Sequence, residues 1–334
     1  MKRVAISASF DDLRSPQVRL LEEAAKLGDV SILLWSDDAV RAVTGKAPKF
    51  PQAERLYLLE AIRYVRDVRI VNGALNPDTL PLPVQSSAVG TAPHPGPLPA
   101  NAGRGRDSAL EDRAKRLLRT NATAASFPLP PLARGEGQGE GSRPDELRPD
   151  IWAVDEPHDT PAKRAFCEAH RLAYHVISSK SFAGFPKADL AIAPPTPGRK
   201  KVVVTGCYDW FHSGHVRFFE EVSEHGDLYV IAGNDANVEH LKGAGHPLFR
   251  EDERRYLCAS IRYVHQALIT TGWGWLDAEP EMRRIKPDIY AVNEDGDKSE
   301  KREFCEKNNI QYLVLKRIPK EGLTRRTSTN LRGF

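Results

Sequence analysis

The chain has 334 residues, 40% of them hydrophobic, enough to build two compact domains of ordinary size. Its 48 basic and 45 acidic residues leave a net charge of +3, which argues against a bulk nucleic-acid-binding surface but permits local phosphate pockets. The opening MKRVAISASF is too short an apolar stretch for a secretory signal, no run approaches a membrane span, and the four cysteines include no CxxC pair, so a cytoplasmic location is expected.

Read in chain order, residues 4–37, VAISASFDDLRSPQVRLLEEAAKLGDVSILLWSD, return at 202–235 as VVVTGCYDWFHSGHVRFFEEVSEHGDLYVIAGND. At an offset of 198, Asp11 falls on Asp209, Ser15 on Ser213, Arg19 on Arg217, Glu22 on Glu220 and Asp29 on Asp227. Tyr57-Leu58 and Ile62-Arg63-Tyr64-Val65 return as Tyr256-Leu257 and Ile261-Arg262-Tyr263-Val264 at an offset of 199. Pro149-Asp150-Ile151 and Phe166-Cys167-Glu168 return as Pro287-Asp288-Ile289 and Phe304-Cys305-Glu306, with the offset now 138. The fall in offset implies an insertion of about sixty residues in the first copy. So long a period means duplication of a whole domain, not a solenoid.

The insertion spans about 74–147 and includes HPGPLPANAGRGR and FPLPPLARGEGQGEGSRP, a Pro/Gly density that predicts disorder. Within it, LEDRAKRLL at Leu110–Leu118 is an isolated helical stretch, marginal in water at that length. Pro194-Pro195-Thr196-Pro197-Gly198, followed by Arg199-Lys200-Lys201, reads as a semi-rigid linker over 194–200. The expected domains are therefore 1–193 and 201–334.

In the second copy, the β-branched run Val202–Thr205 predicts a buried strand, and Val216, Phe219 and Val222 mark a helix ending near Gly226. Further strands are expected at Leu228–Ala232, Ala267–Ile269, Ile289–Val292 and Tyr312–Leu315, with helices around Arg254–Val264 and Lys301–Asn308. This alternation predicts an α/β fold: two tandem Rossmann-like, doubly wound parallel-sheet domains, with ligands beyond the carboxyl ends of the strands.

Gly206-Cys207-Tyr208-Asp209-Trp210-Phe211-His212-Ser213-Gly214-His215 lies at the first strand-to-helix junction of the second copy. Two imidazoles three residues apart at a helix start share a face, the free N–H groups of that end favour a phosphate, and Gly214 allows close approach of the backbone. HxxH spacing also suits zinc, but no third ligand at a convincing spacing completes a site. Cys167 and Cys305 occupy equivalent positions and read as helix packing. The first copy has Arg14-Ser15-Pro16-Gln17 in this register, so the scaffold is repeated and the histidines are not.

The string resembles the nucleotidyltransferase signature G-x-[FY]-D-x-x-H-x-G-H, and the residues after it resemble the cytidylyltransferase branch, including the glycerol-3-phosphate, phosphocholine and phosphoethanolamine enzymes. The resemblance covers Val202 to Arg332 and implies a HUP-type Rossmann-like fold. It implies that Arg262 contacts nucleotide phosphates, that Asp295 lies near the nucleotide, and that Lys242 reaches the phosphates. Arg325-Arg326-Thr327-Ser328-Thr329 resembles the RTxGIST segment that holds the triphosphate, with Arg325 or Arg326 as the phosphate-binding arginine; the usual Gly-Ile before Ser-Thr is here Arg326-Thr327.

The resemblance implies transfer of CMP from CTP to a phosphorylated small alcohol or sugar, with release of pyrophosphate. His212 and His215 would stabilise transition-state charge, Lys242, Arg325 and Arg326 would neutralise the leaving group, and Gly206, Cys207, Tyr208, Asp209 and Gly214 would line the nucleotide site. Mg²⁺ is the implied cofactor, with Asp209 as its candidate contact. Adenylyl transfer from ATP and non-catalytic nucleotide binding are the alternatives. The expected partners are CTP or ATP and the acceptor, without nucleic acid, and a second copy of the chain as a candidate homodimer. No catalysis is expected in the first copy.

Overall fold

Short aliphatic runs, apolar on both faces, alternate along the chain with helices that carry one apolar stripe, and this pattern buries strands between two helical layers. A computed structural model of the chain describes residues 1–73, 75–82, 148–187, 191–327 and 331. The first repeat contains β1 (Arg3–Ala8), α1 (Ser15–Ala25), β2 (Asp29–Trp35), α2 (Asp37–Thr44), α3 (Gln52–Glu60), β3 (Val65–Val71), β4 (Ile151–Asp155), α4 (Pro161–Ala169) and β5 (Ala173–Ile177). The second contains β6 (Lys201–Gly206), α5 (Ser213–Ser223), β7 (Asp227–Ala232), α6 (Asp235–Lys242), α7 (Glu251–Ala259), β8 (Val264–Ile269), α8 (Glu279–Ile285), β9 (Ile289–Asn293), α9 (Ser299–Lys307) and β10 (Gln311–Leu315).

These strands form two five-stranded, all-parallel sheets, ordered β3-β2-β1-β4-β5 and β8-β7-β6-β9-β10. The two orders are the same order, and the agreement extends to detail. Each sheet has one register shift, at Val30/Ser31 in the first and at Leu228/Tyr229 in the second. The α/β, Rossmann-like expectation therefore holds for both halves. The insertion sits between β3 and β4, where the second repeat places α8; residues 83–147, including the helical stretch expected at Leu110–Leu118, lie outside the described residues. Among the described residues no helix is long and apolar enough to cross a membrane.

Both repeats belong to one unit, residues 1–82 with 148–334, and one hydrophobic core runs from Val18, Leu21 and Leu59 through Val216, Phe219 and Leu257. The contact between them pairs equivalent residues. Ile62 and Ile261 form an antiparallel bridge, and the Arg63 and Arg262 amides each donate across it at 2.9 Å, to Ser260 and Ala61. The Tyr57 hydroxyl donates to Glu220 at 2.7 Å, and the Tyr256 hydroxyl donates to Glu22 at 2.8 Å. Such reciprocity is the signature of an isologous, two-fold contact, here within one chain.

The segment expected to be a spacer is instead fastened to the second repeat. The Thr196 amide and the Arg199 Nε both donate to Asp227, at 2.5 and 2.8 Å, and the Tyr229 hydroxyl donates to the Ala193 carbonyl at 2.7 Å. Pro/Gly composition predicted a semi-rigid linker; side-chain anchors on β7 give it a fixed path.

Candidate active site

At the carboxyl end of β6 the chain turns through Tyr208 in the left-handed region, φ +53°, and Phe10 takes the same turn at φ +46° in the first repeat. The Tyr208 ring folds back over Gly206, where an added Cβ would lie 2.8 Å from the ring, so a larger residue there would have to push the ring aside; the first repeat has Ala8 beneath Phe10 at this position. The next residue fastens a loop. Oδ1 of Asp209 accepts the Leu248 and Phe249 amides at 2.6 and 3.0 Å, just as the Asp11 carboxylate accepts the Lys49 and Phe50 amides at 2.9 and 3.1 Å. A carboxylate doing the same task in both repeats anchors a loop, a structural role beside the nucleotide or Mg²⁺ contact expected of Asp209.

Among the described residues no group of three or more His, Cys, Asp or Glu side chains could hold a metal. Mg²⁺ commonly binds through one or two carboxylates plus substrate phosphates, so these residues build no protein cage for it.

His212 occupies the N-cap of α5, and its Nδ1 accepts the Gly214 amide at 3.0 Å. An accepting Nδ1 assigns the ring proton of the neutral imidazole to Nε2. In the first repeat Arg14 holds the cap position, and its amide instead donates to the Gln17 side chain at 3.0 Å. The His212 and His215 rings stack with centroids 4.0 Å apart and planes 25° from parallel, while Tyr208 and Phe211 pack on His215. A Cβ added at Gly214 would come within 2.8 Å of the His212 ring, so this glycine makes room for the ring as well as for a ligand. His212 Nε2 and His215 Nδ1 are buried and have no protein partner, which marks them as groups awaiting one.

Burial, then the charges of Arg317, Arg326 and Arg14, push His212 down to about 3; burial, then His212, Arg317 and Lys242, push His215 well below the ordinary histidine range. Both rings are therefore neutral at pH 7. A depressed folded-state value means that the unfolded chain takes up protons first as pH falls. The associated stability is complete above about pH 6.5 and is lost from there down toward about pH 3 for His212, at roughly 1.4 kcal/mol per pH unit per histidine. Urea midpoints measured from pH 7 to pH 4 should fall more steeply for the native chain than for a His212→Asn/His215→Gln variant; parallel curves would refute the buried neutral pair.

Cationic groups surround the pair. Burial raises the Cys207 thiol and the nearby Lys242 opposes that rise, so Lys242 acts on both Cys207 and His215. The Arg317 guanidinium donates to Asp295 at 2.6 Å and to the Arg326 carbonyl at 3.2 Å. Arg325 lines a small cavity between α5 and the 316–326 segment. Arg326 pairs with Glu54 of the first repeat at 2.8 Å. The structure thus brings together Lys242, Cys207, Gly214, His212, His215 and Arg326, with Asp295 joined through Arg317. Thr327 follows Arg326; Ser328 and Thr329 lie outside the described residues.

Arg262 is the expected phosphate contact that the structure places elsewhere. Its guanidinium donates to the Ile62 and Val65 carbonyls at 3.0 and 2.7 Å, and Arg63 mirrors it on the Ile261 and Val264 carbonyls. Its duplication in the repeat without histidines was the signal of a structural role. Three participants escaped the sequence reading. Arg317 follows β10, at the carboxyl edge where ligands sit. Glu54 and Arg14 belong to the first repeat; the Arg14 guanidinium lies 4.0 Å above the Trp210 ring and its charge depresses His212.

Residues 203–332 match the family model described as Cytidylyltransferase-like. The chain is 35% identical over 125 residues to the FAD synthase of Ferroglobus placidus, covering 36% of this chain and 78% of that protein. It is also 35% identical over 120 residues to the FAD synthase of Methanospirillum hungatei JF-1, covering 35% of this chain and 72% of that protein. To the Bifunctional protein HldE of Pseudomonas fluorescens it is 32% identical over 122 residues, 35% of this chain; that match spans only 25% of HldE.

Proposed function

Because the chain belongs to the cytidylyltransferase-like family of HxGH nucleotidyltransferases, we propose that its second repeat transfers a nucleotidyl group from a nucleoside triphosphate to a phosphorylated small molecule. The observation that carries this reading is the stacked, neutral pair His212 and His215 at the N-terminus of α5, with its unpartnered ring nitrogens among cationic side chains. A phosphate oxygen of the acceptor attacks the α-phosphorus, a new P–O bond forms, and the bond to the bridging oxygen of the β-phosphate breaks as pyrophosphate leaves. Alignment and charge stabilisation supply most of the rate in such a transfer. The His212 Nε2–H and the amides of the helix end donate to the α-phosphate oxygens, and Lys242, Arg317 and the Arg325-Arg326 segment balance the departing charge. Mg²⁺, when present, adds further charge neutralisation on the triphosphate.

The identity of the base divides two readings. The Arg-Tyr-Val string and the duplicated architecture favour CTP, whereas the relatives named FAD synthase make a product containing an adenylyl group, which favours ATP. Pyrophosphate release measured with CTP and with ATP, against glycerol phosphate, phosphoethanolamine, phosphocholine, sugar phosphates and FMN, separates them. One nucleotide and acceptor pair should give sustained release. Nucleotide binding by calorimetry without release from any pair would replace catalysis by a nucleotide-binding role.

A further inference from the structure

Glu54 lies on α3 of the first repeat and is 1% exposed. Its carboxylate faces the second repeat. Oε1 accepts the Ser213 hydroxyl at 2.7 Å, and Oε2 accepts Arg326 Nη2 and Nε at 2.8 and 3.0 Å, a forked charge pair held out of water. Ser213 opens α5 between the two histidines. The Arg326 carbonyl accepts from Arg317 and lies 3.6 Å from the position a Gly214 Cβ would take. One buried carboxylate therefore fastens both the start of the histidine helix and the C-terminal segment that crosses it.

The mirror contact shows what packing alone requires. Glu253, the counterpart of Glu54, accepts the Ser15 hydroxyl at 2.5 Å. On the side that has the histidines the carboxylate also holds the forked pair with Arg326, whereas on the mirror side, among the described residues, Glu253 has only the charge of nearby Arg14 acting on it. Removing one partner of a buried pair leaves the other charge uncompensated, so such pairs hold their geometry tightly.

We propose that Glu54 is a positioning residue for nucleotidyl transfer: it locks Arg326, and with it the segment leading into Thr327, over the N-terminus of α5. The degenerate repeat thereby serves as a permanent partner subunit that completes the site of the other. This rests on the nucleotidyl-transfer reading above, but part of its test does not.

The experiment uses the full chain with Glu54→Gln, Glu54→Asp, Arg326→Gln, the double variant Glu54→Gln/Arg326→Gln, and Glu22→Gln as a control at the opposite side of the same interface. The readouts are kcat and KM for the nucleotide, nucleotide binding by calorimetry, and amide exchange over residues 323–327. Glu54→Gln should raise the nucleotide KM and Kd at least about tenfold and speed exchange in that segment, with Glu54→Asp intermediate and Glu22→Gln within about twofold of the native chain. Because Glu54 acts through Arg326, adding Glu54→Gln to Arg326→Gln should cost nothing further.

Glu54→Gln behaving like Glu22→Gln in both binding and exchange would overturn the proposal, as would fully additive losses in the double variant. If Glu54→Gln does not fold, Glu54→Asp and Arg326→Gln carry the same comparison. If the native chain releases no pyrophosphate, the catalytic reading fails, while binding and exchange still decide the role of Glu54.

Discussion

Replacing His215 by Gln is expected to lower kcat/KM for pyrophosphate release by about a thousandfold, with the thermal midpoint within a few degrees of the native value. Gln is the residue at the matching position, Gln17, of the first repeat, where it sits in the first turn of α1 under the same sheet order. The fold has thus already accepted this side chain at this place. Turnover should not accept it, because a glutamine amide places its donor and acceptor differently from the imidazole stacked on His212. His215→Ala should lose as much activity and more stability, since it empties space that Tyr208 and Phe211 now line. The check is steady-state pyrophosphate release alongside a melting curve. Release within tenfold of native by the Gln variant would remove His215 from the mechanism.

The two repeats also show how far the sequence could be read. The strands, the two parallel sheets and the helix bearing the histidines were legible, because hydrophobic periodicity and repetition report on burial, and burial decides these elements; the order of strands within each sheet was not read from the sequence. The histidine pair was legible by contrast: His212-Ser213-Gly214-His215 stands where the first repeat has Arg14-Ser15-Pro16-Gln17. The same contrast applied to Asp209 and Arg262 points to a structural role for both, since Asp11 and Arg63 persist in the repeat without histidines and make mirrored bonds. Glu54 and Arg14 were beyond reach for another reason. Their partners across the contact, Ser213 and Arg326 for Glu54 and Trp210 for Arg14, lie more than 150 residues away, brought near only by the two-fold contact between repeats, and no local pattern encodes that contact.

Arg254 is the clearest residue that only the structure could assign, and Arg254→Ala should be among the most damaging single changes to the fold. Its side chain is 0% exposed, and its guanidinium donates to the carbonyls of Phe249, Cys207 and Gly233 and to Asp235 at 2.5–2.9 Å. It ties the ends of β6 and β7 to the start of α6 and to the loop before α7. Arg55 makes the same set in the first repeat, on Phe50, Ser9, Trp35 and Asp37. Truncation strands several buried carbonyls and leaves Asp235 without its cation, a loss of about 3–5 kcal/mol. Lys should rescue little, because a single ammonium on a flexible stem cannot reproduce a planar fork with donors aimed four ways. Since Arg55 makes its arrangement within the repeat that lacks the histidine pair, Arg55→Ala should destabilise comparably while sparing turnover in the fraction that stays folded. Chemical denaturation of the two variants, with release rates normalised to folded protein, measures both effects. A stable Arg254→Ala chain with lost turnover would move this residue from the scaffold into the site.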